Sequence, residues 1–277
     1  MSITHNQRRA LLIALTSAAS ALLLSSCAVQ PPAPVAAVLM RSAEVRVITS
    51  GAFTEAYKML VPLFEKDSGH TVISSYGASM GNASDSIPSR LARNEPVDVL
   101  IMAGPALDDL IKQGKVAPSS RVDLVRSSIG FAVKSGAPKP DISTLTKLRQ
   151  TLLDAKSIAY SASASGVYYS TLLVQKLGIA DQVLPKSTRI LSERVGTVVA
   201  RGDAELGLQQ VSELVPIAGI DYIGPLPDEV QQNTFFSAGI VVGAKEPEAA
   251  RAMIKFFTST TAAPIIAKTG LEPVTAK

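Results

Sequence analysis

Tryptophan is absent from the 277 residues, and aromatic residues make up only 5% of them. A surface for stacking on bases or sugar rings therefore has little to be built from. There is one cysteine, so no intrachain disulfide can form. Of the two histidines, His5 lies near the start and His70 sits in a turn between a helix and a strand. That is too few soft or imidazole ligands for a zinc or copper site, and neither a metal nor a cofactor is expected. Charged residues are sparse, 18% against 47% hydrophobic, which excludes a disordered chain. The length suits one large domain or two modest lobes.

The longest apolar run, residues 10–24, is 15 residues long. A membrane-spanning helix needs about 20. Arg8 and Arg9 precede the run, and Leu24-Ser25-Ser26-Cys27 closes it. This is the pattern of an export signal over residues 1–26. Its end resembles a bacterial lipobox, in which the cysteine becomes the first residue and carries lipid, so Cys27 is the lipidation candidate. Cleavage near Val35-Ala36-Ala37 is the alternative, and Arg8-Arg9 also allows twin-arginine export. Without residues 1–26 the formal charge drops from +4 to +2, which weakens any nucleic-acid reading. Residues 27–43, rich in proline and alanine, read as a tether.

The stretch VITSGAFTEAYKML, residues 47–60, reads as a strand that turns at Thr49-Ser50-Gly51 into an amphipathic helix. That helix ends at Gly69, a C-cap glycine. Strands are expected at 71–75, 97–102, 127–134, 157–160, 206–210, 221–223 and 235–242. Helices are expected at 87–92, 106–113, 143–155, 165–177, 195–200, 247–258 and 262–269. The early alternation of strand and helix implies parallel sheets covered on both faces. Small polar loops follow three strands: Ser50-Gly51, Ser79-Met80-Gly81, and residues 161–166 with Ser165-Gly166. In open α/β sheets such strand ends converge on one crevice.

Five stretches in order carry a family resemblance: ITSGAFTEAYKMLVPLFEKDSG, SSYGASM, EPVDVLIMAGPALDDLIKQGKV, SASASGVYYSTLLVQKLG and ARGDAELGLQQVSEL. Over residues 44–273 the chain resembles the type II periplasmic solute-binding proteins of the molybdate-binding type. The resemblance implies an α/β fold of two lobes, each a mainly parallel sheet flanked by helices, with a ligand cleft between them. Lobe one would be 44–126 plus 239–277 and lobe two 127–238, with crossings near 127–132 and 236–241. It also implies a monomer in the periplasm, tethered through Cys27 if the lipobox is used.

Carried over by position, Ser50 and Ser79 match the family's oxyanion-binding serines, and Ser165 before Gly166 matches a backbone donor. Gly51, Met80 and Gly81 belong to the same turns. Residues 192–194, with Arg194, fall where another donor is expected. Gln210 stands where molybdate binders have a tyrosine, and with Gln209 it points away from molybdate and toward a di- or tricarboxylate. Each residue has a plainer reading. Ser50-Gly51 alone is an N-cap, Glu193 and Arg194 alone are a surface pair, and Glu213 alone is a helix N-terminal charge. The leading functional expectation is a binding protein that delivers a small anion to an ABC-type transporter. The alternative is an aconitate isomerase on the same scaffold, since bacterial aconitate isomerases resemble this branch. In that case Glu193 or Glu213 would be the base, and residues alone do not choose between them.

Overall fold

The computed structural model describes residues 42–274. The expected export signal, Cys27 and almost all of the tether lie outside the described residues. Eleven strands are described: β1 Glu44–Thr49, β2 Thr71–Tyr76, β3 Val99–Ala103, β4 Val122–Ser127, β5 Ile129–Lys134, β6 Ile158–Ser161, β7 Ser187–Ile190, β8 Leu206–Gln210, β9 Ile220–Pro225, β10 Thr234–Ile240 and β11 Glu272–Pro273. The helices are α1 Thr54–Ser68, α2 Ile87–Ala92, α3 Gly104–Lys112, α4 Leu145–Asp154, α5 Ala164–Tyr168, α6 Val174–Lys176, α7 Ala180–Val183, α8 Val195–Arg201, α9 Val211–Leu214, α10 Pro247–Phe257 and α11 Ala263–Ala267. Between α5 and α6 the chain makes a π-helical turn, Tyr169–Leu173, where an unbroken helix is expected from the sequence.

The strands form two sheets, of order β11-β4-β10-β3-β1-β2 and β7-β6-β8-β5-β9. In each, a parallel group joined through helices (β2-β1-β3 and β7-β6-β8) is extended by antiparallel strands. β3 reads VLIMA and is buried at every position, because helices cover both faces of its sheet. On one face Val45 and Val47 pack with Phe53, Tyr57 and Phe64 of the first helical segment and with Phe257 of α10. On the other, Ile48, Leu100 and Met102 pack with Ile87 and Leu107. The second sheet does the same with Leu148, Leu152 and Tyr169 on one side and Val195, Val198 and Val199 on the other.

The chain passes between sheets twice. Only Ser128 separates β4 of the first sheet from β5 of the second. The return lies before Thr234, because all of β10 pairs within the first sheet. The expected second crossing at 236–241, and with it a lobe boundary after 238, is therefore too late. The apolar run that suggested it is a strand interior of lobe one. Leu226 and Val230 still pack in the core of lobe two. Gln231 bonds both the N–H and the C=O of Ile129 (2.9 Å each), tying the two passages together.

Candidate functional site

The carboxyl ends of the parallel strands of both sheets face one cavity of about 340 Å³. From lobe one, Ser50, Gly51, Thr54 and Lys58 enter it after β1, residues 76–79 after β2, and Asp85 before α2. From lobe two come residues 161–163 after β6, residues 190–194 after β7, and Gln209 and Glu213 around β8. Strand ends meeting at a crevice is the expected place for a ligand in such sheets.

Ser50 is fixed through its backbone. Its N–H donates to Ile101 O at 2.8 Å, and its C=O accepts from Thr54 Oγ1 at 3.1 Å. The residue is only 2% exposed, and its hydroxyl is buried with no protein partner. A buried hydroxyl without a partner is costly, so one aimed into a cavity marks a place for a ligand atom. Ser79 differs. Its Oγ accepts from Ala103 N at 2.9 Å, which pins the loop after β2 to the end of β3 and leaves its hydrogen uncommitted.

The structure thus brings Ser50, Gly51, Ser79, Arg194, Gln209, Glu193 and Glu213 to one cavity and leaves the other candidates outside its wall. Met80 packs on the apolar core beneath β3, and Gly81 adopts a φ of 91° that serves the turn. Ser165 is not itself on the wall; its Oγ is 3.1 Å from Oγ of Ser161, which is. A Cβ on Gly166 would overlap the Ser161 carbonyl, so that glycine serves close helix–strand packing. In that loop the cavity is met by 161–163 instead. Gln210 also turns away: its amide nitrogen donates to Thr234 Oγ1 at 3.4 Å near the second passage between sheets. Alternation along β8 sends Gln209 one way and Gln210 the other.

The two carboxylate candidates separate cleanly. Glu193 is exposed at the rim and makes a bidentate pair with Arg201 at 2.7 and 3.0 Å, which holds its carboxyl below the usual range. Glu213, near the end of α9, accepts from Gln209 Nε2 at 2.8 Å. Across the cleft it lies against Gly51, where a Cβ would overlap Oε2 of its carboxylate. Burial pushes the Glu213 carboxyl up to about 7, against the opposing effects of Arg194 and Gln209.

Arg194 caps α8 and reaches across the cleft to Glu55 of α1 at 2.7 Å. Lys58 shares the same carboxylate at 3.3 Å. Although burial pushes Glu55 up, these two cations hold it below its ordinary value. Sequence reasoning missed Lys58, Glu55 and Asp85. The signal was present for two of them: positions 51, 54, 55 and 58 follow helical spacing from the serine turn, so they share its face. His70 is structural, its Nδ1 accepting from Ala43 N at 3.2 Å. Among the described residues no group of three or more His, Cys, Asp and Glu side chains could hold a metal, and no helix is long and apolar enough to cross a membrane.

A family model described as bacterial extracellular solute-binding protein matches residues 45–272. An aconitate isomerase from a Pseudomonas species is 44% identical over 262 residues, which cover 95% of this chain and 97% of that protein. The molybdate-binding protein ModA of Azotobacter vinelandii is 26% identical over 255 residues, covering 88% and 95%. The solved periplasmic molybdate-binding protein of Azotobacter vinelandii superposes with a TM-score of 0.67 at 20% identity, over 84% of this chain and 100% of that one.

Proposed function

Since the chain belongs to the bacterial extracellular solute-binding protein family, we propose that it turns the cleft of that fold to chemistry and isomerises trans-aconitate to cis-aconitate. Glu213 carries this reading. A cleft that only holds an anion gains nothing from a buried carboxylate in its wall, which repels the ligand and is costly to desolvate. A cleft that moves a proton needs such a group, with a pKa near the working pH. The similarity to an aconitate isomerase along nearly the whole chain supports the same reading.

Aconitate has a methylene carbon made acidic by a carboxylate on one side and a carbon–carbon double bond on the other. Glu213 takes a proton from that carbon, and the electron pair spreads through the double bond into the far carboxylate. The same carboxyl returns the proton to the former vinylic carbon, two atoms away. One C–H bond breaks, one forms, and the double bond moves by one carbon with no oxidant or reductant consumed. The product has the same constitution as the substrate. Its cis or trans geometry is set by how the cleft holds the arm when the new double bond forms. The hydroxyls of Ser50 and Ser79, the loop 161–163, Arg194 and Lys58 supply the donors and positive charge for three carboxylates.

Delivery of a small anion to an ABC-type transporter is the second reading, favoured by the fold shared with a molybdate-binding protein. On it a di- or tricarboxylate remains the preferred ligand, since a tetrahedral oxyanion is small for a cavity of about 340 Å³. Both readings put the protein in the periplasm as a monomer, with Cys27 as lipid anchor; Cys27→Ser should release it from membrane fractions. The deciding test is proton NMR of trans-aconitate incubated with the purified protein. Growth of cis-aconitate signals is expected. Binding of trans-aconitate without conversion would return the chain to transport.

A further inference from the structure

The amide of Gln209 is held at both ends. Its Oε1 accepts from the backbone N–H of Val195 at 2.9 Å, and its Nε2 donates to Glu213 Oε2 at 2.8 Å. The side chain is buried on the wall of the cavity. Val195 opens α8, so its N–H has no acceptor within the helix and can only donate. That fixes which end of the amide is oxygen, and hence that an NH₂ faces Glu213. An oxygen that accepts from an NH₂ is a poor place for a proton. The two oxygens of Glu213 are thus made unequal.

We propose that Gln209 is the positioning residue of the proton transfer: it anchors Oε2 of Glu213 and leaves Oε1 as the atom that takes the proton from one substrate carbon and returns it to the other. The inference rests on the isomerase reading above and deepens it. A single oxygen that serves both carbons must stay within reach of both, and a carboxylate free to rotate would not. Gly51 packs against the same Oε2, since a side chain there would meet that oxygen first and displace it. The other charged groups at the site are Arg194, paired with Glu55 across the cleft, and Lys58, Asp85 and the rim residue Glu193 around the cavity.

Two variants separate positioning from mere structure. Gln209→Glu keeps an acceptor for the Val195 N–H but loses the donor to Glu213 and puts two carboxylates side by side, which raises their shared titration. Gln209→Met fills the same space and loses both bonds. The measurements are the pH profile of kcat on trans-aconitate and an infrared titration of the protonated carboxyl band, identified by its loss in Glu213→Gln. In both variants the acid limb and the band midpoint should move to higher pH. Each pH unit of that movement lowers kcat near neutrality by about five- to tenfold, with KM little changed. If the wild type turns over and Gln209→Glu keeps its profile and midpoint, the positioning role is wrong and the isomerase reading stands. If the wild type does not turn over, both fall.

Discussion

The two lobes meet at one cavity but bring different chemistry to it. The turns after β1 and β2 contribute small neutral groups, Ser50, Gly51 and Ser79, held by backbone hydrogen bonds. The turns after β7 and β8 contribute Arg194, Gln209 and Glu213, joined to one another or to the far lobe through side chains. Beside the charged Lys58 and Asp85, the serine turns of lobe one offer donors set by the fold. Lobe two offers groups whose charge depends on their surroundings, and part of those surroundings is lobe one itself. Glu213 is shielded where it meets Gly51, so the burial that raises its pKa is made by both halves together.

Removing the titrating group should have the largest effect. Glu213→Gln should lower kcat by about 10²–10⁴-fold, the usual worth of a positioned acid–base group. It should also stabilise the protein, and with a defined pH dependence. Glu213 is raised from 4.5 to about 7 in the folded state. The wild type therefore carries no penalty below about pH 4.5, loses stability as pH rises through 7, and above that bears up to ~3 kcal/mol for an ionised buried carboxylate. Urea unfolding should show the variant more stable at pH 8 and equal to wild type at pH 4. A gain independent of pH would mean that Glu213 ionises normally.

Gly51→Ala should come next, because it attacks the lobe-two group from lobe one. The added methyl overlaps the Glu213 carboxylate, so either the carboxylate shifts or the cleft opens. Misplacement of a catalytic group by about 1 Å costs on the order of 10²-fold in rate. The acid limb of the pH profile should also fall toward the ordinary carboxylate range as Glu213 gains solvent. A variant with normal rate and unshifted profile would show that the lobes do not share the burial of Glu213.

Ser50→Ala tests the neutral side. Its hydroxyl has no protein partner, so alanine should leave folding stability intact. Binding of tricarballylate, a saturated tricarboxylate that cannot isomerise, should weaken by about 1–3 kcal/mol. Calorimetry that finds full affinity would remove Ser50 from the ligand's contacts.

The same division explains what could be read in the sequence. Strand ends, capping glycines and apolar periodicity are local, and they located β1, α1, β3 and the serine turns directly. Ser50 was legible because its turn fixes it. β4 was missed, although Val122 and Leu124 follow strand spacing, because only Ser128 parts it from β5. β7 is a short, half-exposed edge strand with almost no pattern. The roles of Gln209 and Gln210 were not legible at all. Which of two adjacent amides faces the cavity depends on strand phase, and what each bonds depends on residues such as Val195 and Thr234, 14 and 24 positions away. Glu193 and Glu213 were equal as letters. Only their neighbours, Arg201 for one and Gly51 with Gln209 for the other, make one a surface ion and the other a carboxyl whose pKa burial raises.

The smallest effect belongs to the one ion pair among the described residues that crosses the cleft, Arg194 with Glu55. Its side chains are 25% and 27% exposed, so the pair is worth about 0–1 kcal/mol. Two consequences of Glu55→Gln oppose each other. Losing the pair removes a tie that favours the closed cleft. It also frees Arg194 and Lys58 from a carboxylate that competes with the ligand's own, and removes one negative charge facing a trianion. A tricarboxylate would bridge the lobes through the same cations and so replace the lost tie, whereas nothing replaces the relief of repulsion. Glu55→Gln should therefore tighten tricarballylate binding, by at most about fivefold, which is ~1 kcal/mol. The gain should shrink as salt is raised, because part of it is exposed charge. Weaker binding in the variant would mean that Glu55 acts as a latch between the lobes and not as a stand-in for a substrate carboxylate.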